Sequence, residues 1–273
     1  MQKRKTRIGI VGCGAIGSRI AKSVVNELKS QCALTGLYDI NPAKSRNLAR
    51  RLRRRNTNKK SLAELIRSCD FLVEAINSDE TAAIIRKAIK ARKSVLAMSI
   101  GKLLNAQDLF RLAEKNKSSI LLPSGAIAGI DAIKAASLVS IDHITLTTRK
   151  PPSGFIKSAY IRQKGINLNA IKGEKVIFDG TVGQAVKAFP ENINVAATLA
   201  LASGVTSKIR VRIMIDPALK QNSHEVEAIG EFGRMTSRTE NVICPDSPKT
   251  SYLAALSAIR TLKQYFQAVK VGT

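Results

Sequence analysis

Along the first 120 or so residues, apolar runs alternate with stretches whose apolar positions recur at helical spacing. The first run, Arg7 to Val11, breaks at Gly12, Gly14 and Gly17 and resumes at Ile16, Ile20, Val24 and Leu28, which predicts strand, tight turn and helix. A second run, Ala33 to Tyr38, closes on Asp39. Asn41-Pro42 then supplies a cap and a first-turn proline for a helix reaching to about Arg55. Ser61 and Glu64 stand at capping-box spacing ahead of a short helix. Phe71 to Ala75, Ser94 to Met98 and Ser119 to Leu122 read as further strands, with helices at 79–91 and 105–115 between them. Alternation at this rhythm implies parallel strands joined by right-handed crossovers, an α/β Rossmann arrangement with a doubly wound parallel sheet.

Beyond residue 130 the rhythm changes. Ile209, Val211, Ile213 and Ile215 alternate with Lys208, Arg210, Arg212 and Met214, the period of a strand with one buried face. Further strands are expected at 141–148, 175–178 and 224–232, with helices at 127–137, 181–188 and 193–202, so a second α+β domain should contain a mixed sheet. Leu253, Leu256, Ile259, Leu262 and Phe266 predict a long amphipathic helix within 249–269.

The glycines at G-x-G-x-x-G spacing have separable roles. Gly12 allows the tight turn, Gly14 the approach of a pyrophosphate to the backbone, and Gly17 the close packing of helix on strand, with the helix N-terminus facing the phosphates. The stretch Gly12, Gly14, Ala15, Ile16 and Gly17 is therefore the candidate binding element for NAD or NADP. Asp39, 22 residues past Gly17, can accept hydrogen bonds from the adenosine ribose. Ligands of such sheets sit beyond the carboxyl ends of the strands, which brings Asn77, Ser99 and the loop Pro123 to Gly129 around the dinucleotide. The small residues of that loop suit either a flat nicotinamide ring or a hinge. The expected division is a dinucleotide-binding domain at 1–124, a substrate and catalytic domain at 125–247, and a final helix at 248–273 packing back on the first.

Composition narrows the setting. With 273 residues, 44% of them apolar, the chain can build a core without staples. Cys13, Cys32, Cys69 and Cys244 form no C-x-x-C pair, which favours free thiols in a reducing compartment over disulfides, and no metal site is expected. The basic start Met1 to Lys5 imitates a secretory leader, but Arg19 and Lys22 interrupt the apolar run, and a cytoplasmic protein is expected. No apolar stretch approaches the roughly 20 residues of a membrane helix. A net charge of +25 favours anionic small molecules, and much of it lies between Lys44 and Lys60. That segment reads as a solvated helix face, as a nucleic-acid patch poor in stacking aromatics, or as the place where Lys44 or Arg46 reaches a 2′-phosphate and admits NADP. No specific nucleic-acid partner is expected.

Two histidines could move a proton near neutral pH. His143 lies in a half-exposed strand pattern. His224 opens a strand in which it shares a face with Val226 and Ala228, so it is either a satisfied core residue or a proton shuttle. Asn192 and Asn194, just before an apolar helix, read as a cap and its neighbour, or as one cap and one amide turned to the nicotinamide or the substrate.

Taken together, Gly12 to Gly17, Ser124 to Gly129, Thr148-Arg149-Lys150-Pro151-Pro152, Phe189 to Ala197, Asn222-Ser223-His224-Glu225 with Gly230-Glu231-Phe232-Gly233, and Pro248-Lys249-Thr250-Ser251 resemble the L-aspartate dehydrogenase family over nearly the whole chain. Ser247 stands where that family usually carries Asn. The resemblance implies oxidation of L-aspartate with NAD or NADP to iminoaspartate, which hydrolyses to oxaloacetate and ammonia or feeds NAD synthesis. It implies a homodimer, with His224 as the active-site histidine and Ala126 and Asn194 as cofactor contacts. Arg149, Lys150 and Lys249 are the candidate cations for the substrate carboxylates. Rival readings are another dehydrogenase of similar build, such as a homoserine dehydrogenase or a dihydrodipicolinate reductase, whose paired-histidine motif is missing here, or a dinucleotide sensor without turnover that binds nucleic acid.

Overall fold

The structure, a computed structural model, describes residues 4–76, 78–190, 193–245 and 247–272, with the backbone alone for 247–250. The chain separates into two compact units, Met1–Pro123 with Ala255–Lys270, and Ser124–Ala254 with Val271–Thr273.

The first unit runs β1 (Thr6–Val11), α1 (Ala15–Asn26), β2 (Cys32–Tyr38), α2 (Pro42–Arg51), α3 (Leu62–Ser68), β3 (Phe71–Glu74), α4 (Thr81–Lys90), β4 (Ser94–Ala97), α5 (Gln107–Lys115) and β5 (Ile120–Leu121). The strands form one parallel sheet in the order β2-β1-β3-β4-β5. Both faces are buried. Ile8, Ile10, Phe71, Val73 and Leu96 pack with Ile20, Val24 and Leu48 of the helices, while Leu72, Val95 and Ala97 pack with Leu65, Ile85, Ile89 and Leu109. Continuous apolar runs are what a sheet covered on both faces requires, and each fully buried Leu or Ile contributes roughly 1.5–3 kcal/mol.

Local signals act much as their chemistry suggests. The Asn41 side chain accepts from the Ala43 N–H at 3.0 Å, with Pro42 opening α2. Ser61 accepts from the Glu64 N–H, but the Glu64 carboxylate turns to the Lys60 N–H instead of closing the box on Ser61. Helix α2 stops at Arg51, short of the expected Arg55, because Arg53 adopts a left-handed conformation (φ 54°) and the Arg54 N–H returns to the Ala49 carbonyl. Arg92 and Lys117 do the same just past α4 and α5 (φ 55° and 52°). Glycine is the usual residue there, yet a cation also complements the negative end of the helix dipole.

The second unit continues with α6 (Ile130–Ala136), β6 (Ile141–Lys150), α7 (Ala159–Gln163), β7 (Lys175–Thr181), α8 (Val182–Ala188), α9 (Asn194–Ser203), β8 (Ile209–Ile215), β9 (Asn222–Gly230), β10 (Gly233–Asn241), β11 (Ile243–Cys244) and β12 (Ser247–Ser251), and leads into α10 (Tyr252–Tyr265). From Ala255 onward that last helix belongs to the first unit, where Ala258, Ile259 and Leu262 join the core beside Ile8 and Ile10. Its start is later than the expected 249 because Ser247–Ser251 pairs with β11.

The second sheet is mixed, in the order β10-β9-β6-β8-β7, with β6 and β8 parallel and the other pairs antiparallel. One face carries Ile144, Leu146, Val211, Ile213, Val226 and Ala228, all buried. The other is a lattice of ion pairs, Arg210 and Arg212 on Asp179, Arg149 on Glu174 and Glu225, and Arg234 on Glu227. Two expectations are corrected here. The helix drawn over 127–137 begins only at Ile130, because Gly129 is left-handed (φ 82°). The strand drawn through Phe232 ends at Gly230, turns, and is followed by β10, which carries no apolar alternation to announce it. Among the described residues no helix is long and apolar enough to cross a membrane.

Candidate active site

In the first unit the chemistry gathers where the sheet order reverses, beyond the ends of β1, β2 and β3. Gly12 has φ 92°, and a Cβ built on it would stand 2.4 Å from the Ala75 carbonyl oxygen; one built on Gly17 would stand 1.9 Å from the Gly12 oxygen. Neither position tolerates a side chain. A Cβ on Gly14, by contrast, meets nothing within 4 Å, so the backbone there is open to close approach. Gly14 is the N-cap of α1, and neither a capping side chain nor an acidic residue occupies the first turn. Open amides at the positive end of a helix fit a pyrophosphate.

Asp39 is buried, and its carboxylate is already engaged: Oδ2 accepts from the Cys13 N–H at 2.8 Å and Oδ1 from the Asn41 N–H at 2.9 Å. It therefore braces the glycine turn against the end of β2. Each oxygen keeps a second lone pair with which to accept a ribose hydroxyl. Lys44 and Arg46 lie in the exposed first turns of α2.

Glu74, an ordinary strand residue by its sequence pattern, is fully buried at the end of β3. Its Oε1 accepts from the Ile76 N–H (3.0 Å), the Ser99 hydroxyl (2.7 Å) and the Thr81 hydroxyl (3.4 Å), and its Oε2 from the N–H groups of Met98 (3.2 Å) and Ser99 (3.1 Å). One carboxylate thus ties together the segments that follow β3 and β4. The first of these contains Ala75, whose carbonyl bounds the Gly12 turn. Of the two residues expected nearby, Ser99 is held by Glu74, and Asn77 lies outside the described residues.

In the second unit, His224 pairs with Thr148 across β9 and β6, and its Nδ1 lies 3.0 Å from the Thr148 hydroxyl. Lys150, two residues further along β6 and so on the same face, is buried, with its ammonium 5.9 Å from the Phe155 ring centre. Burial pushes the Lys150 ammonium down to about 8. Burial, and after it the charge of Lys150, pushes the His224 imidazole down to about 3. The histidine is therefore neutral at physiological pH, beside a cation that is close to titrating.

The loop expected to meet the nicotinamide is strapped to this sheet by the strand the sequence did not announce. Thr239 Oγ1 and Asn241 Nδ2 donate to the Ala126 carbonyl at 2.8 and 3.0 Å, and Ser237 Oγ donates to the Ala128 carbonyl at 3.0 Å. Thr239 is the register partner of His224, so Ala126 is fixed beside the histidine strand. Asn241 Oδ1 is buried and has no partner among the described residues.

The other predicted site residues separate. Arg149 turns to the opposite face, where Glu174 (2.8 Å) and Glu225 (3.4 Å) take its guanidinium. His143 is exposed, at an irregularity in β6. Asn194 is the first residue of α9 rather than its cap, the cap position being Ile193. Asn192 and the side chain of Lys249 lie outside the described residues. The four cysteines are buried free thiols; burial pushes Cys13 up to about 12 and Cys32 and Cys69 up to about 11, which keeps these three protonated.

Comparison with known proteins gives the family and the fold. A profile described as aspartate dehydrogenase, C-terminal, matches residues 131–265, and one described as homoserine dehydrogenase, NAD binding domain, matches residues 12–123. The L-aspartate dehydrogenase of Methanosarcina barkeri is 41% identical over 270 residues, covering 98% of this chain and 99% of its own. That of Methanosarcina mazei is 42% identical over the same length and coverage. Among solved structures, the crystal structure of aspartate dehydrogenase from Thermotoga maritima aligns with a TM-score of 0.74 at 22% identity, over 98% of this chain and 100% of that one. A homoserine dehydrogenase from Thiobacillus denitrificans aligns at 0.61 and 16%, over 95% and 72%. These two structures carry the fold; the full-length relatives carry the lineage.

Proposed function

The chain belongs to the L-aspartate dehydrogenase family, and from that premise we propose that it oxidises L-aspartate at Cα to iminoaspartate, which is hydrolysed to oxaloacetate and ammonia. The observation that carries the reading is the buried face shared by His224, Thr148 and Lys150. The cofactor is NAD or NADP, and it supplies the acceptor for the Cα hydride. Residues 1–124 would hold the dinucleotide through Gly12, Gly14, Ala15, Ile16, Gly17 and Asp39, and 125–247 would hold the substrate, with Ala126 and Asn194 as the cofactor contacts that the resemblance implies and Asn192 as a further candidate amide.

The protein's own groups divide the remaining work. In the tautomer whose Nδ1–H donates to the Thr148 hydroxyl, 3.0 Å away, Nε2 keeps a free lone pair. That nitrogen takes a proton from the water adding to the imine carbon and returns it to the departing amine, so that ammonia leaves and the carbonyl forms. A pKa of about 3 suits the ligand-free protein only. The two carboxylates of L-aspartate bring negative charge to the same face and raise the basicity of the imidazole. Lys150 is the cation for one of them, since Arg149 is committed to Glu174 and Glu225. Asn241 Oδ1 is an acceptor suited to the substrate ammonium. The same reading carries a homodimer and a link to pyridine-nucleotide synthesis, both drawn from the likeness in sequence, and a cytoplasmic setting, drawn from the free thiols and the interrupted apolar start.

The test is turnover. Purified protein with L-aspartate and NAD or NADP should produce reduced nicotinamide, while L-glutamate, L-homoserine and D-aspartate should give far less. Absence of turnover on L-aspartate, or faster turnover on L-homoserine, overturns the assignment.

Lys150 makes a separate prediction through succinate, a dicarboxylate with no amine of its own to titrate. Its inhibition constant against L-aspartate should stay level from about pH 6, where both succinate carboxylates are ionised, to pH 8, and rise about tenfold per pH unit above that as the Lys150 ammonium loses its proton. Lys150→Met should weaken succinate at neutral pH and flatten the profile. A wild-type constant level to pH 10 would remove Lys150 from the carboxylate site.

A further inference from the structure

The basic segment that binding and catalysis leave unused divides into two ends. Lys44 and Arg46 stand at the start of α2, near Asp39, where a 2′-phosphate would lie. Helix α2 then runs ten residues back along the sheet, about 15 Å, and delivers Arg50 to Arg55 to the far edge of the first unit. There Arg50, Arg53, Arg54 and Arg55, with Leu34 and Thr35 of β2, line a groove of about 770 Å³ that contains no carboxylate. All four arginines are exposed. The polar partners seen for them are the Asn47 side chain, which takes Arg50, and the Arg53 carbonyl, which takes Arg54.

Helix-end compensation does not account for this density. One cation in the last turn complements the dipole of α2, and Arg50 and Arg51 already stand there. Arg53, Arg54 and Arg55 follow outside the helix, so five guanidinium groups crowd six positions and repel one another. From 44 to 67 the chain carries ten Lys and Arg against a single carboxylate, Glu64, which is turned to the Lys60 N–H. By contrast, the arginines on the open face of the second sheet, Arg149, Arg210, Arg212 and Arg234, each meet an acid. Helices α4 and α5, which return antiparallel to the strands as α2 does, end on the same side of the parallel sheet, at Arg92 and Lys93 and at Lys115 and Lys117.

We infer that this arginine groove, on the edge of the first unit away from Asp39, is a second anion site that binds a chain of phosphates such as a nucleic-acid backbone or inorganic polyphosphate. Guanidinium forks match phosphate oxygens in pairs, and a run of them matches a polymer better than a single ion. The groove has no aromatic residue in its lining, so recognition is of the backbone and independent of base sequence.

The test is fluorescence anisotropy with a labelled 20-nucleotide thymidine oligomer, with inorganic polyphosphate as competitor. The groove variant is Arg53→Gly, Arg54→Ser, Arg55→Ser; glycine suits the left-handed position of Arg53 and so protects the fold. A charge-matched control replaces exposed Lys134, Lys164 and Lys172 of the second unit by Ser. NADH affinity and turnover should be unchanged in both, which certifies folding. The groove variant should bind the oligomer at least about tenfold more weakly and flatten the salt dependence of log Kd by about 2, the release expected of three lost phosphate contacts on a single strand. The control should change neither by as much. Displacement of the oligomer by polyphosphate assigns the site to any phosphate chain, and lack of displacement assigns it to nucleic acid. Equal losses in groove variant and control, or no oligomer binding by the wild type at low salt, overturn the inference. Should the triple variant fail to bind NADH, Arg54→Ser with Arg55→Ser alone must still flatten the slope by more than one.

Discussion

His224→Ala is expected to lower kcat with L-aspartate by about 10²–10⁴-fold, the usual worth of a positioned acid–base group, while leaving NADH affinity unchanged. The expectation rests on where the ring is fixed. Its Nδ1 is spoken for by the Thr148 hydroxyl, its surroundings hold it neutral, and Lys150 lies on the same face of the sheet. A ring that merely filled the core would cost stability when truncated, roughly 2–4 kcal/mol by analogy with other large buried side chains, but not turnover in the molecules that remain folded. Thr148→Val separates the two cases further. It keeps the shape, removes the acceptor for Nδ1–H, and should lower kcat by less than the loss of the imidazole does, with a shifted pH profile. Stopped-flow and steady-state rates on both variants, beside a titration with NADH, decide the matter: a His224→Ala enzyme with wild-type kcat returns the residue to packing.

The first turn was legible because its constraints are steric and local. No side chain fits at Gly12 or Gly17, so the spacing of those glycines reports the turn without any knowledge of what surrounds it. Helix ends were less legible, since α2, α4 and α5 close on Arg53, Arg92 and Lys117 in the left-handed conformation where a reader looks for glycine. Strand β10 was missed for a functional reason. Its positions Ser237, Thr239 and Asn241 are polar because they hydrogen-bond the Ala126 and Ala128 carbonyls, and that erases the alternation by which strands are recognised. Likewise the pattern placed Arg149 and Lys150 on equal terms. Only the pairing of β6 with β9 separates them: Thr148 stands opposite His224, so Lys150 shares that buried face, while Arg149 takes the other face and reaches Glu225.

Glu74→Gln is the second large expected effect, and it follows from the same limit on what a sequence displays. A lone glutamate in Phe71-Leu72-Val73-Glu74 has no visible partner, because its five donors come from residues 76, 81, 98 and 99. In the folded protein every one of them points at a carboxylate that is entirely out of water. Glutamine keeps the size and one acceptor oxygen, but sets an NH2 group against N–H and O–H donors. Each buried donor left without a partner costs roughly 1–3 kcal/mol, so with about half the bonds recovered the loss is roughly 3 kcal/mol, and the melting temperature should fall by about 6–12 °C. The effect should not stop at stability. The segments that Glu74 gathers include Ala75, which bounds the Gly12 turn, and slackening them loosens the amides offered to the pyrophosphate, so NADH should bind about tenfold more weakly at a temperature where the variant is fully folded. Differential scanning calorimetry and a calorimetric titration with NADH measure the two quantities independently. A variant that melts lower yet binds NADH as the wild type does would confine Glu74 to the scaffold, and one unchanged in both would mean that the five donors find water or one another as readily as they find the carboxylate.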